Sequence, residues 1–292
     1  GMAALALPGC LRQMAKSQAR SKPNIVIIFA DDMGYGDPRC YNGQSKIPTP
    51  HIDKLAGQGM RFTDAHTAAA VCTPSRYGLL TGRYCWRSRL KRGILWHWDE
   101  PLIEPERLTL PGMLQQSGYH TGCVGKWHLG WNWPTTDGSR ISETAKISTW
   151  SWNERIAFGN KVDFTKPIKG GPITRGFDYY FGDDVPNFAP YCFIENDRVI
   201  KVPASTKPKN MFGNPGPAMA DWQLNEVMPK LTTRAVKYIE QRSQTTEQPF
   251  FLYFSLTAPH TPIAPVEPFI GKSQAGLYGD YVHQVDATVG EI

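Results

Sequence analysis

Two stretches of the chain are apolar without interruption, residues 24–30 (N-I-V-I-I-F-A) and 249–255 (P-F-F-L-Y-F-S). Neither alternates polar with apolar positions, the pattern of strands covered on both faces. Further strands are predicted at 119–124 and 61–67. Between them, apolar residues return at helical spacing. Thr49 and Pro50 open a short helix through Ile52 and Leu55 that stops at Gly57 and Gly59. In residues 71–82 (V-C-T-P-S-R-Y-G-L-L-T-G), Pro74 suits a first helical turn and Gly82 a stop. Thr109 caps a helix ending near Gly118. Leu231, Ala235, Tyr238 and Ile239 mark a helix over 229–242, and Tyr281, Val282, Val285, Val289 and Ile292 mark one beginning near Asp280. Strands alternating with helices predict an α/β fold: a mostly parallel central sheet flanked by helices. Residues 84–98 read as an irregular loop. Residues 131–217, rich in Trp, Gly, Pro and Asn, read as a long insertion of loops and short strands shaping a cleft.

Composition narrows this picture only a little. The 292 residues, 41% hydrophobic and 20% charged, are those of an ordinary soluble globular protein that can bury a core. The formal charge of +6 suggests an anionic partner, yet Arg12, Lys16, Arg20 and Lys22 supply four of those charges ahead of Pro23, leaving +6 − 4 = +2 for the rest. No basic run mixed with aromatics points to nucleic acid. Residues 1–22 read as a signal-peptide remnant or disordered basic tail and residues 23–292 as one domain. The opening implies export, to a periplasmic, extracellular or lysosome-like location. Its L-P-G-C loosely resembles a lipoprotein cleavage box, with Cys10 as anchor. No apolar run reaches the ~20 residues of a membrane span. The cysteines show no C-x-x-C spacing, so neither zinc nor a disulfide pairing is assigned.

Candidate chemistry collects after the strands. Asp31 and Asp32 follow the first one, and two adjacent carboxylates repel unless a cation shares them. Their hard oxygens suit Ca²⁺ or Mg²⁺, and a solvated turn is the alternative. Cys72 stands at a helix N-terminus, where free N–H groups and the helix dipole favour negative charge, giving a reactive thiol or an anion site; a small buried apolar residue beside a solvated arginine is the alternative. Lys126 and His128 follow the third strand, where two residues of an extended segment project the same way. His260 follows the last. His97, between Trp96 and Trp98, faces either substrate or a packed surface. In open α/β sheets ligands bind beyond the carboxyl ends of the strands. Asp31–Asp32, Lys126–His128 and His260 all fall at that edge.

These motifs together resemble the N-terminal part of the type I sulfatases, in the alkaline-phosphatase-like superfamily. Cys72-Thr-Pro-Ser-Arg76 matches the family's C-x-P-S-R motif for oxidation of cysteine to formylglycine, and L-L-T-G-R at 79–83 its second element. Asp31–Asp32, G-K-W-H-L-G at 125–130 and A-P-H-T-P at 258–262 recur in the family in this order. The resemblance implies that Asp31, Asp32 and the oxidised Cys72 bind a divalent cation, Ca²⁺ before Mg²⁺. It implies that the formylglycine hydrate is the nucleophile, that Arg76 and Lys126 hold it and the sulfate, and that His128 assists collapse of the sulfated intermediate. His260 acts near the leaving oxygen. The expected reaction is hydrolysis of a sulfate monoester on a sugar or aryl group, after activation by a maturing enzyme. A phosphonate or phosphate monoester hydrolase of the same superfamily and a non-catalytic binder of sulfated glycans are the alternatives. The family carries a later Asp-Asn pair and lysine not found here, so the chain is expected to be a fragment of a longer protein.

Overall fold

The computed structural model describes residues 22–139 and 151–292; the expectations for the tail and Cys10 lie outside them. A six-stranded sheet runs in the order β1 (Ile25–Asp31), β8 (Phe250–Pro259), β2 (His120–Gly125), β3 (Tyr179–Gly182), β4 (Ile194–Glu195), β5 (Arg198–Val199). The first four are mutually parallel and the last two antiparallel. β6 (Ser205–Thr206) and β7 (Pro217–Ala218) form a separate pair.

All ten residues of β8 are buried, as its unbroken apolar run predicts. β1 is not covered on both faces. It lies at the sheet edge, Val26 is exposed, and an apolar groove beside it is lined by Ile28, Leu55, Val285 and Ile292. The expected strand at 61–67 is absent; that stretch is exposed coil, with no partner strand to satisfy its backbone. In contrast, the expected insertion contributes β3 to the central sheet.

The helices are α1 (Pro50–Gln58), α2 (Cys72–Thr81), α3 (Leu110–Gln116), α4 (Trp152–Gly159), α5 (Val227–Ser243) and α6 (Gly276–Glu291), the last starting one turn before Asp280. Thr109 accepts from Gly112 N and so caps α3. Gly82 ends α2 in the left-handed region at φ 63°, the role expected of it. α5 packs Tyr238 onto Gly122, where any Cβ would come within 2.5 Å of the ring. α2 takes the other face. Its Arg76 reaches Tyr253 and Ser255, which alternate along β8 with Leu252 and Phe254. A helix thus covers each face, and α2 reaches the carboxyl ends of β1 and β2 through Arg76.

Candidate active site

Cys72 is the first residue of α2 and is buried. One turn on, Arg76 is fully buried under the end of β1. Its Nη2 lies 3.2 Å from Asp31 Oδ1, and Nη1 donates to Ser255 Oγ and to the Lys126 carbonyl at 3.2 Å. Lys126 Nζ donates to Asp31 Oδ2 at 2.5 Å. Lys126 owes its position to Gly125, at φ 110°. A Cβ there would sit 1.8 Å from the Ser255 carbonyl, and the close approach lets Lys126 N donate to that oxygen at 2.8 Å. Burial alone would raise the Asp31 pKa. The charges of Lys126 and Arg76, with His260 beyond, outweigh it and hold the carboxyl at about 2.

Lys126 and His128 do not lie in an extended segment. His128 itself adopts φ 52°, in the left-handed region. Its carbonyl accepts from Thr73 Oγ1 at 3.2 Å, tying the loop to the start of α2. Its Nε2 lies 2.8 Å from the Leu95 carbonyl, which can only accept, so Nε2 carries the proton. Burial first, then the Lys126 charge, push its pKa well below the ordinary value. The ring is therefore neutral, and its buried Nδ1, without a hydrogen-bond partner among the described residues, presents a bare lone pair.

Asp32 is more open, its side chain 55% exposed, and its Oδ2 lies 3.7 Å from His260 Nε2. His260 Nδ1 meets the Thr261 carbonyl at 2.5 Å. His97 is not at the surface. Its ring is stacked on Trp152 at 5.6 Å, with Phe188 edge-on at 5.5 Å. Burial, then the charge of Arg155, lower its pKa to about 3.

Sequence reasoning missed one group at this edge. Asp183 and Asp184 follow directly on β3, much as Asp31 ends β1 and Asp32 follows it, and both are buried. Asp184 Oδ1 accepts from His128 N at 3.1 Å and from Trp131 Nε1 at 3.0 Å, fixing the loop that carries His128. Neither carboxylate oxygen of Asp183 has a hydrogen-bond partner among the described residues. The signal was there: the same dipeptide after a short aromatic run closed by a glycine.

The oxygens of Asp31 and Asp32 fit a hard divalent cation in kind. In number they fall short: among the described residues no group of three or more His, Cys, Asp or Glu side chains could hold a metal. Ca²⁺ takes roughly 6–8 oxygens. The pair is at most part of such a site.

The fold is a mostly parallel α/β sheet whose strand ends gather, close to Cys72, a buried cluster of two cations and one carboxylate, an excess of positive charge suited to an anion. The sulfatase family model matches residues 23–292. An N-acetylgalactosamine-6-O-sulfatase of Bacteroides thetaiotaomicron is 36% identical, over 98% of this chain and 58% of its own length. Human steryl-sulfatase is 28% identical, over 95% of this chain and 52% of its own. A structure solved in work on glycosaminoglycan metabolism by Bacteroides thetaiotaomicron matches with a TM-score of 0.75 at 33% identity, over 92% of this chain and 58% of that one. The phosphonate monoester hydrolase of Agrobacterium radiobacter, 17% identical with a TM-score of 0.50 over 92% of this chain and 58% of its own, shares the fold. The chain belongs to the sulfatase family and has its alkaline-phosphatase-like fold. It spans about half the length of the curated relatives it matches. Among the described residues no helix is long and apolar enough to cross a membrane.

Proposed function

We propose that the protein hydrolyses a sulfate monoester on a sugar, with residues 23–292 contributing most of the catalytic centre. The observation that carries this reading is the buried Asp31–Arg76–Lys126 cluster beside Cys72 at the N-terminus of α2. An N-acetylgalactosamine-6-O-sulfatase among the relatives makes a 6-O-sulfated N-acetylgalactosamine the first substrate to test. Oxidised to formylglycine by a maturing enzyme, Cys72 would supply a nucleophilic oxygen as the aldehyde hydrate. Arg76 and Lys126 bind the equatorial sulfate oxygens, where charge spreads as the bond to the leaving oxygen breaks. Both are already desolvated and held by Asp31, so they need little rearrangement to meet an anion. His128 takes a proton on Nδ1, the nitrogen left bare by the Leu95 contact, and its tautomer is fixed for that role. His260 holds the proton for the leaving alkoxide. Asp31, Asp32 and the oxidised Cys72 would share a divalent cation, Ca²⁺ before Mg²⁺, which supplies further positive charge when bound. Export belongs to the same proposal.

The test uses the full-length protein produced together with a formylglycine-generating enzyme. Mass analysis of the Cys72 peptide should show conversion of thiol to aldehyde, and sulfate should be released from the sulfated sugar. Replacing Cys72 by Ala should lower turnover on the order of 10³-fold or more, with the thermal midpoint within a few degrees of wild type. Turnover of an aryl phosphate well above that of the matching aryl sulfate would overturn the assignment.

A further inference from the structure

One aromatic cluster is left over by the chemistry above and lies directly against it. The His128 ring meets Phe188 edge-on at 5.9 Å, and Phe188 stacks on Trp96 at 5.3 Å. Trp96 in turn meets the edge of Trp152 at 5.4 Å. The four rings come from four separate parts of the chain: the loop after β2, the loop after β3, residues 84–98 and the first residue of α4. Phe188 is buried, whereas Trp152 is 47% exposed. One face of Trp152 lies on His97, only 19° from parallel, so its accessible area is the outer face and rim.

Trp152 is also held rigidly. The neutral ring of His97 beneath it is a flat, uncharged floor. Its backbone is fixed by a capping box: Ser151 Oγ accepts from Glu154 N at 3.3 Å, and Glu154 Oε2 accepts from Ser151 N at 2.6 Å. A large indole kept half in water costs solvation, and such a ring fixed on both flanks is a preorganised contact surface. The apolar face of a pyranose, lined by C–H groups, is the ligand chemistry that fits it. Inorganic sulfate has no such face.

We propose that Trp152, braced by Trp96 and His97, is a specificity-determining residue that stacks on a sugar ring of the substrate whose sulfate lies at Arg76 and Lys126. The inference rests on the reading of the site as one for a sulfated sugar, and it adds the residue that recognises the sugar ring.

Binding separates the two. Calorimetry on the full-length protein would measure the affinity for 6-O-sulfated N-acetylgalactosamine and for inorganic sulfate, in wild type, Trp152→Ala and Trp152→Phe. Stacking of this kind predicts about a tenfold loss of saccharide affinity in Trp152→Ala, partial recovery in Trp152→Phe, and unchanged affinity for inorganic sulfate. The proposal is overturned if the saccharide binds wild type no tighter than sulfate does. It is equally overturned if Trp152→Ala leaves saccharide affinity unchanged or weakens both ligands alike. Absence of sulfate release with saccharide binding intact would instead refute the hydrolase reading and leave the stacking role standing.

Discussion

The sheet carries the same dipeptide at two of its strand ends, Asp31–Asp32 at the end of β1 and Asp183–Asp184 after β3, and Asp31 behaves oppositely to the second pair. Asp31 is buried and held at about 2. Asp183 and Asp184 are buried as well, and burial, offset only in part by the charge of Lys126 for the first and by bonds from Trp131 and His128 for the second, lifts them to about 7 and about 6. The difference lies in partners. Asp31 has a guanidinium on one oxygen and an ammonium on the other. Asp183 has the mutual repulsion of Asp184 instead. A strand end sets where a carboxylate sits; the side chains arriving from other elements decide whether it is charged.

The strongest way to break this contrast is to remove Asp31. Asp31→Ala leaves two cationic side chains buried without their counterion, and removing one partner of a buried pair costs about 3–5 kcal/mol. Urea unfolding should show a loss of that size; a loss below about 1 kcal/mol would mean that solvent or a bound anion balances Arg76 and Lys126. The pH dependence has a definite sign. The folded pKa of Asp31 lies below its ordinary value of 3.8, so its contribution is full above about pH 4 and is lost as pH falls through about 2.

Asp183→Asn should have the opposite effect. Its folded pKa is raised, so ionising it costs the folded state increasingly as pH climbs from about 4 through about 7. The amide removes that cost. The variant should melt several degrees above wild type at pH 8, with the advantage gone at pH 4. A variant less stable than wild type at pH 8 would show that the Asp183 carboxylate has a partner in solution that offsets its burial.

The chain itself made the first pair legible and hid the second for a physical reason. The strand that ends at Asp31 is an unbroken run of apolar β-formers, so its end is unmistakable. β3 has four residues, and it becomes a central strand only because β2 offers it a parallel edge. Pro74 and Gly82 marked α2 because capping is local chemistry. Burial of His97 was not readable, since it depends on Trp152 and Phe188, far along the chain. The half-bare β1 likewise reflects its neighbours, which a strand's own sequence does not encode. The candidate residues gathered at one sheet edge, because position after a strand fixes the edge. Their pairings, such as Lys126 with Asp31 and His128 with Leu95, were invisible to spacing.

The smallest effect on stability, and the sharpest comparison, is expected at Asp32. It adjoins Asp31 in sequence, yet its side chain is half in water and its one ionic neighbour among the described residues, His260, is 3.7 Å away. Its φ of 64° lies in the left-handed region, which asparagine tolerates as well as aspartate. Asp32→Asn should therefore shift unfolding free energy by less than about 0.5 kcal/mol, an order of magnitude less than Asp31→Ala. Function should not follow stability. If the carboxylate donates an oxygen to a divalent cation, the full-length variant should bind Ca²⁺ at least tenfold more weakly by calorimetry, with its melting curve unchanged in the presence of chelator. Equal Ca²⁺ affinity in variant and wild type would remove Asp32 from the cation site. A loss of stability as large as that of Asp31→Ala would show that the exposed carboxylate carries structural charge balance too, and the division of labour within the pair would fall.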